Sequence, residues 1–384
     1  MFVDKMPMVG QNLLGLMSIR GRQAVAGRIP DGNDGRERGL FGGLSVILVG
    51  DPMQLPPVGA APMWSDRPGT AGHSVKGHAA WLDLNAAVEL TEVMRQVGDA
   101  QAAFRRALIA VAEGRARQEH FDLFRTRMRS QVPDAEQATF RDAEHLFPTN
   151  AEADDWNWER LNLLGTEIAL VVESHTVGGY TNVSAERFRD LAPYLYLAVG
   201  ARVFINNNVW TSAGLANGAA GEIVHMQWGD QPGAERPPAL PPVVYVRFHN
   251  FRGKQFFRER SAVVNGEAVD LLNVVPIVPM EAQDEMGPAT SSRRTERAGR
   301  FRSQLPIKLA FGVTHHKSQG ATLDRVVLEI GKREINDGQT FTALSRCRDI
   351  KNMLLEDFSQ ERLQAIGNSV SFPARLAALD RIQS

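Results

Sequence analysis

The sequence lacks the features that mark secreted, membrane-spanning or metal-stapled proteins. Its 384 residues include one cysteine, Cys347, which excludes an intramolecular disulfide and a zinc site built from several cysteines, and indicates a reducing compartment. The longest aliphatic runs, at residues 44–49 and 168–172, are far shorter than the roughly 20 residues that cross a bilayer, and no basic-then-apolar leader opens the sequence. We therefore expect a soluble protein.

Neither a charge excess nor an internal repeat is present. Lys and Arg number 43 against 44 Asp and Glu, a net charge of -1, so any nucleic-acid contact must come from a local basic surface. The absence of a fixed-period repeat excludes solenoids and propellers. What is present is apolar material, 43% of the residues, which excludes wholesale disorder and is enough for two or more buried cores.

The first part of the chain has an alternating α/β pattern. Residues 44–49 predict a buried strand that runs into an extended, proline-rich loop at residues 50–58. Residues 100–114 and 151–164 carry apolar side chains at helical spacing and predict helices. Polar groups at the carboxyl end of a strand favour a binding site there.

The pattern changes to short strands between residues 201 and 277. Strands are predicted at 202–206, 222–228 and 243–248, with Val224, Met226 and Trp228 on one face of the second, and together they indicate a small β-barrel insertion. Residues 283–303 predict a mobile polar linker. The linker carries five arginines: Arg293, Arg294, Arg297, Arg300 and Arg302. Beyond it, strands are predicted at 307–313 and 325–330.

Two strand ends carry candidate phosphate chemistry. Asp4 follows a short apolar strand, an arrangement by which nucleoside triphosphatases hold magnesium, although a turn or a helix cap also ends many strands in Asp. Gln54 lies in Gly-Asp-Pro-Met-Gln-Leu-Pro-Pro, residues 50–57, where a neutral amide on a stiff loop can hydrogen-bond a terminal phosphate; a plain proline turn is the alternative.

Two arginines and one loop add candidate anion contacts. Arg95 and Arg346 are permanently charged and can bind phosphate bidentately, although such an arginine, taken singly, is more often a surface salt-bridge partner. Residues 314–320, Thr-His-His-Lys-Ser-Gln-Gly, place many donors at a strand end and suit phosphate oxygens; a hydrophilic connection is the alternative. The arginines of the linker could follow a nucleic-acid backbone or simply be solvated.

These segments, in this order, resemble the Pif/RecD-like branch of superfamily-one DNA helicases, especially its eukaryotic and transposon-borne members. The resemblance spans residues 2–357. It rests on residues 41–44 (Phe-Gly-Gly-Leu), 50–58, 90–96, 214–218 (Gly-Leu-Ala-Asn-Gly), 314–323 and 338–346.

The resemblance implies ATP-dependent 5′-to-3′ unwinding of DNA. Asp4 would hold Mg²⁺, Gln54 would contact the γ-phosphate of ATP, and Arg95 and Arg346 would be arginine fingers. A second set would face single-stranded or forked DNA: Thr149, Asn150, Thr314, His316 and Ser318. A third set would link that loop to the nucleotide: Lys317, Gln319 and Gly320.

The resemblance also implies fold and location. We expect two RecA-like domains, the first at residues 1–140 and the second at 141–200 and 301–384, with a β-barrel similar to a Src-homology-three domain, plus the basic linker, at 201–300. Roles in DNA repair, recombination and telomere maintenance, in the nucleus or the mitochondrion, would follow.

The sequence departs from the family at the nucleotide. No G-x-x-x-x-G-K-[ST] is present to cradle the phosphates, and position 5 is Lys where the family has the glutamate that activates water. We therefore expect an N-terminally truncated helicase whose first domain is incomplete and marginal, with apolar faces exposed at residues 44–49. Two functions stay open: an impaired helicase, or a catalytically inactive remnant that binds single-stranded nucleic acid or serves as an interaction module.

Overall fold

The computed structural model describes residues 1–26, 39–175, 183–228, 243–264, 266–284, 301–369 and 372–383. Within these ranges the helices are α1 Gln11–Ala26, α2 Ser74–Leu82, α3 Ala102–Ala112, α4 Gln118–Arg125, α5 Asp134–Gln137, α6 Asn150–Asn162, α7 Gln339–Leu344, α8 Gln360–Gln364 and α9 Phe372–Gln383. None of the helices in these ranges has the length and apolarity needed to cross a membrane.

The strands within the same ranges are mostly short. They are β1 Phe2–Val3, β2 Ile47–Leu48, β3 Glu144–Phe147, β4 Ala169–Val172, β5 Ser174–His175, β6 Tyr194–Leu197, β7 Arg202–Ile205, β8 Ala220–Gln227, β9 Val243–Phe248, β10 Ser261–Val264, β11 Glu267–Asp270, β12 Val274–Ile277, β13 Met280–Gln283, β14 Phe301–Gln304, β15 Ile307–Leu309, β16 Gly312–Thr314, β17 Val326–Leu328 and β18 Met353–Leu355. The chain forms two compact units, residues 1–153 with 313–384, and residues 154–312.

A four-stranded sheet of order β16-β3-β17-β18 organises the first unit. β17 pairs in parallel with β3 and with β18, and its three residues are all buried, as expected for a central strand covered on both faces. The predicted helix at 100–114 is confirmed as α3, whose buried face includes Phe104 and Val111 and packs into the same core.

The amino-terminal part of this unit has its own core and a small sheet. Val3, Leu14 and Trp81 are among its buried residues. The predicted buried strand at 44–49 is wrong in length and burial: only β2 forms, paired in parallel with β1, and Ile47 is 49% exposed. The expected exposure of apolar side chains at 44–49 is confirmed, since Leu44 is 44% and Val49 is 46% exposed.

The second unit is built on antiparallel strands. A five-stranded sheet of order β12-β9-β8-β7-β15 confirms the predicted change to short strands, and β9 alternates half-buried and buried side chains as a one-sided strand does. The predicted face of β8 is wrong at Val224, because a register shift between Ile223 and His225 puts Ile223 in the core with Met226 and Trp228.

Two further predictions are wrong beyond residue 300. Residues 307–313 form two strands in two sheets, β15 in the second unit and β16 in the first, because the chain passes from one unit to the other between them. Arg302 belongs to strand β14, is fully buried and is ion-paired with Glu173, so it is no part of a polar linker. Arg293, Arg294, Arg297 and Arg300 lie outside the described residues.

Candidate functional site

The loop that carries Gln54 folds around an aspartate. The Asp51 carboxylate accepts hydrogen bonds from the Met53 backbone amide (2.8 Å) and from the Gln54 side-chain amide (3.4 Å). Burial raises the pKa of Asp51, while these hydrogen bonds and the charges of Arg375 and Arg346 act in the opposite direction. The Asp51 carboxylate therefore holds the Gln54 side chain within the loop.

Helix α9 holds the same loop from outside. Arg375 is buried and donates from Nε to the Pro52 carbonyl (3.1 Å) and from Nη2 to the Gln54 carbonyl (2.7 Å). Gly338, which precedes α7 at φ 77°, packs so closely that a Cβ there would lie 2.3 Å from the Met53 carbonyl oxygen. The Gln54 loop thus has little room to move.

A second loop, residues 314–320, meets the Gln54 loop. Gln319 is buried, and its Nε2 lies 3.3 Å from the Gln54 Oε1, in hydrogen-bonding range across 265 residues of sequence. Gly320 has a left-handed backbone, at φ 88°, and lies against Lys5. A Cβ added at Gly320 would be 3.1 Å from the Lys5 Cε. The structure therefore brings Gln319 to Gln54, and Gly320 to Lys5.

Arg346 lies behind the second loop. Its Nε donates to the Thr342 carbonyl (2.6 Å), and its Nη1 lies 3.4 Å from the Ser318 carbonyl and 3.3 Å from the Ala321 carbonyl. The side chain is almost fully buried, and burial lowers its pKa to about 10 with help from the nearby Arg95 charge. The guanidinium is thus engaged with protein oxygens, and a phosphate contact would require it to exchange them.

Arg95 is anchored to the same region. Its Nε donates to the Thr322 hydroxyl (3.0 Å) and its Nη1 to the Ser345 carbonyl (2.9 Å). The adjacent Gln96 side chain is buried and donates to the Cys347 carbonyl (2.6 Å). Burial lowers the pKa of Arg95, and the charge of Arg348 adds to this. Both predicted arginines therefore contact Ser345, Arg95 at its carbonyl and Arg346 at its hydroxyl.

Asp4 and Lys5 are exposed at the end of β1. The Asp4 carboxylate accepts a hydrogen bond from the Lys5 backbone amide (2.8 Å), and Lys5 has a left-handed backbone at φ 54°. Among the described residues, no three His, Cys, Asp or Glu side chains group so as to hold a metal ion. Asp4 can therefore supply one carboxylate ligand.

The predicted nucleic-acid residues follow two neighbouring strands. Thr149 and Asn150 follow β3, and the loop of Thr314 and Ser318 follows the adjacent β16; the His315 amide donates to the Phe147 carbonyl (3.0 Å). Asn150 is exposed, whereas Thr314 and Ser318 are buried.

Most of the hydroxyls in this set have protein partners. The Thr149 hydroxyl forms a capping pair with Glu152 at 2.6 Å, and the Ser318 hydroxyl donates to the His315 carbonyl at 2.8 Å. His316 is half-buried, its Nε2 lacks a hydrogen-bond partner, and burial lowers its pKa. Lys317 is exposed. The surface available to a ligand is therefore made chiefly of Asn150, His316 and Lys317.

Sequence reasoning missed Asp51 and Arg375. Asp51 lay within the motif that singled out Gln54, and its position two residues before a backbone amide is typical of an Asx turn, so it could have been found. Arg375 gave no signal, because its partners lie more than 320 residues away in sequence.

Comparisons with known proteins point in one direction. A family profile described as PIF1-like helicase matches residues 2–120. The ATP-dependent DNA helicase PIF6 of Trypanosoma brucei brucei is 27% identical over 350 residues, which cover 86% of this chain and 38% of PIF6. The ATP-dependent DNA helicase PIF1 of Danio rerio is 28% identical over 342 residues, which cover 88% of this chain and 44% of that protein. The chain thus spans less than half the length of these relatives.

Solved structures share the α/β fold. The Pif1 helicase from Candida albicans superposes with a TM-score of 0.67 at 20% identity, covering 99% of this chain and 76% of that one. Bacteroides Pif1 in complex with ADP-AlF3 and ssDNA superposes with a TM-score of 0.65 at 19% identity, covering 99% and 75%. At such identities the likeness shows the fold, and the chemistry must be argued from the residues of this chain.

Proposed function

We propose that this chain is a relative of the Pif/RecD-like superfamily-one helicases, and that it is the part of an ATP-dependent 5′-to-3′ DNA helicase that senses nucleotide and holds single-stranded DNA. The observation that carries the proposal is the contact between Gln319 and Gln54, with Arg346 hydrogen-bonded to the Gln319 loop. The loop at residues 314–320 thereby connects Gln54, the proposed γ-phosphate contact, to the surface at the ends of β3 and β16.

The finer architecture is part of the proposal. We assign RecA-like domains to residues 1–140 and to 141–200 with 301–384, and a barrel similar to a Src-homology-three domain, followed by the basic linker, to 201–300. The parallel arrangement of β3, β17 and β18 supports the second RecA-like domain. The antiparallel five-stranded sheet supports a separate β-rich insertion.

The residues fit one side of a nucleotide site. Asp4 would give Mg²⁺ one carboxylate ligand, which is the number that this ion often takes when phosphates complete its shell. Gln54 and the Arg95 and Arg346 guanidinium groups would meet the terminal phosphate of ATP and lower the cost of its developing charge. Magnesium would supply charge neutralisation between phosphate oxygens.

The connection between the bound DNA and the nucleotide would be made by Lys317, Gln319 and Gly320. The Gly320 backbone lies against Lys5, so a shift of this loop would be felt at the end of β1. On the outer side, Thr149, Asn150, Thr314, His316 and Ser318 would face single-stranded or forked DNA. Roles in DNA repair, recombination and telomere maintenance, and action inside the cell in the nucleus or mitochondrion, belong to the same proposal.

A second function is favoured by one position. Lys5 stands beside the proposed magnesium ligand, and an ammonium cannot deprotonate water as a carboxylate does. The alternative is therefore a catalytically inactive protein that binds single-stranded nucleic acid or acts as an interaction module, with the nucleotide-sensing residues retained.

The test is ATP turnover with and without single-stranded DNA, with the variants Gln54→Ala and Arg346→Lys, and with strand displacement on 5′- and 3′-tailed forks. No G-x-x-x-x-G-K-[ST] is present to hold the phosphates, so the helicase proposal expects weak turnover, which DNA stimulates and both variants lower about 10- to 1,000-fold, and unwinding only of the 5′-tailed fork. DNA binding without turnover supports the alternative. A wild-type chain that neither binds DNA nor hydrolyses ATP would contradict the helicase proposal and the nucleic-acid-binding form of the alternative, and would leave only the interaction module.

A further inference from the structure

We infer that the second compact unit carries a docking surface for an arginine-bearing segment of a partner protein. The surface lies on the solvent side of α6 and on the exposed face of strands β4 and β6. We call it the aromatic-acidic patch, and it comprises Trp158, Leu170, Tyr194 and Tyr196 with the acidic side chains Asp155 and Glu159. The inference goes beyond the proposed function, because it requires neither a nucleotide nor DNA.

Three aromatic rings and one leucine cluster at the surface of the patch. Strands β4 and β6 pair antiparallel, and Leu170 lies directly opposite Tyr196 on their exposed face. The Tyr196 ring contacts two others edge-on, with its centroid 5.1 Å from that of Trp158 and 6.0 Å from that of Tyr194. Trp158 is 47% and Tyr194 is 57% exposed. A cluster of large, half-exposed apolar side chains is typical of an interaction site.

The rings stand on the packed core of the second unit. Val171 and Leu195 alternate with the exposed side chains of β4 and β6, and both are buried in that core. Leu161, one turn after Trp158 on α6, is buried in the same core. Aromatic side chains held on a packed base lose little conformational freedom when a partner covers them, which favours affinity.

Acidic side chains flank the rings on the helix side. Asp155 lies three residues before Trp158 on α6, and Glu159 lies four residues after Asp155. At these spacings the three side chains are neighbours on the helix surface, and all three are exposed. The patch therefore combines apolar rings with carboxylates that face solvent.

The local charge identifies the class of partner. Residues 154–172 contain four acids and one cation, a net charge of -3, in a chain whose total is -1. The cation, Arg160, lies over the Trp156 and Phe311 rings at 5.9 and 6.0 Å, and both of these rings pack with the core. The negative charge would repel the phosphates of a nucleic acid. An arginine complements the patch, because a guanidinium both stacks on aromatic faces and pairs with carboxylates.

The test is fluorescence anisotropy with three short labelled peptides in which proline alternates with arginine, lysine or glutamate. Proline keeps all three peptides extended, so they differ only in the charged side chain. Wild-type protein should bind the arginine peptide most tightly and the lysine peptide about 3- to 10-fold more weakly, because an ammonium lacks the planar face of a guanidinium. The glutamate peptide should not bind.

The contribution of the rings is measured with single variants. Trp158→Ala should weaken binding of the arginine peptide about 5- to 10-fold. Trp210→Ala is the matched control, because Trp210 is a 42% exposed tryptophan of the same unit outside the patch, and it should bind the peptide as wild type does. Thermal melting checks that each variant is folded. Tyr194→Ala should weaken binding about 2- to 5-fold, and it tests the rings independently of Trp158.

The contribution of the carboxylates is measured in the same assay at two salt concentrations. Glu159→Gln should weaken binding of the arginine peptide about 2- to 5-fold at low salt and make binding less sensitive to salt. Glu259→Gln is the matched control, because Glu259 is an exposed glutamate of the same unit outside the patch. It should change neither quantity.

Other occupants of the patch give different results. Equal binding of the arginine and glutamate peptides, or wild-type affinity in both Trp158→Ala and Tyr194→Ala, would overturn the inference. Self-association in sedimentation equilibrium that Trp158→Ala abolishes would assign the patch to a second copy of the chain instead. Loss of thymidine-oligonucleotide binding in Trp158→Ala, with peptide binding unchanged, would assign it to nucleic acid. ATP turnover and strand displacement test the proposed function separately, and these variants should leave both unchanged.

Discussion

Individual buried side chains determine where the candidate nucleotide sensor lies. Arg375 is the clearest, since its guanidinium donates to two carbonyls of the Gln54 loop and is 2% exposed. A buried carbonyl that loses its hydrogen-bond donor still pays the cost of being removed from water. The loss of Arg375 should therefore destabilise the Gln54 loop more than the loss of a hydrogen bond at the surface would. Arg375 is therefore a positioning residue for Gln54.

Arg375→Ala should lower the free energy of unfolding by about 1–3 kcal/mol, because it leaves the Pro52 and Gln54 carbonyls without their donor. Arg375→Lys should recover part of this loss, since an ammonium keeps the charge but not the two-pronged geometry. Urea denaturation measures both. The control is Arg106→Ala, on the exposed face of α3. Equal effects of the two alanine variants would contradict the positioning role.

His315 should make stability depend on pH. Burial lowers the pKa of its imidazole to about 3, and the charges of His316 and Arg362 act in the same direction. The unfolded chain, with an ordinary pKa near 6.5, binds this proton more readily than the folded chain between pH 6.5 and 3. Stability from this residue is therefore complete above pH 6.5 and falls as the pH drops, by up to about 1.4 kcal/mol per pH unit.

The measurement is the urea midpoint of wild type and His315→Gln from pH 7 to pH 4. The variant should lose less stability over this range, whatever its stability at pH 7. His249→Gln, at an exposed histidine, should follow the wild-type curve. Parallel curves for wild type and His315→Gln would show that this imidazole has no part in the acid sensitivity.

Residue identity predicted only part of the site. Gln54 and Arg346 could be found because each lies in a short run with a recognisable composition. The hydrogen-bond partners of Arg346 could not, since which carbonyls surround a buried guanidinium depends on how the 318–321 loop packs. The burial of Thr314 and Ser318 could not be predicted for the same reason, because a serine or threonine in the sequence does not show whether its hydroxyl faces solvent or a carbonyl.

Secondary-structure elements were predictable where periodicity was long. The helix at 100–114 was found because its apolar positions repeat over three turns. The split of 307–313 into β15 and β16 was not, since an unbroken apolar run gives no sign that its two halves join different sheets. The length and burial of β2 were overestimated, because the residues at 44–49 are apolar but half exposed.

The start of α7 gives a prediction at the level of elements. Gly338→Ala forces a side chain into a left-handed backbone and against the Met53 carbonyl, so unfolding free energy should fall by about 2–4 kcal/mol. Gly59→Ala is the matched control: Gly59 also has a positive φ, 66°, but nothing lies within 4 Å of the added Cβ, so the cost should be about 1 kcal/mol. Thermal denaturation compares them, and equal losses would mean that the contact at Met53 relaxes freely.

For the molecule as a whole, each compact unit has its own apolar core. The core with Val203, Ile223 and Val246 lies entirely in residues 154–312, and the cores with Phe104 and Trp81 lie in the other unit. Separate cores allow separate cooperative units, each with its own free energy of unfolding. A substitution that destabilises one core should therefore lower hydrogen-exchange protection first in the unit that contains this core.

Arg302 provides the test, because it is a fully buried cation of the second unit. It is ion-paired with Glu173, donates to the Leu191 and Val183 carbonyls at 2.8 and 2.9 Å, and lies over the Phe188 ring at 4.3 Å. Arg302→Met removes the guanidinium from a buried carboxylate and should destabilise the second unit by about 3–5 kcal/mol.

Hydrogen exchange followed by mass spectrometry measures protection in peptides from each unit. Arg302→Met should lower protection across β7, β8 and β9, and leave β3, β17 and β18 as in wild type. The control is Lys308→Met, which breaks the half-exposed pair of Lys308 with Asp190 in the same unit and should cost at most about 1 kcal/mol. If protection falls equally in both sheets, the chain unfolds as one cooperative unit and the two cores are not energetically separate.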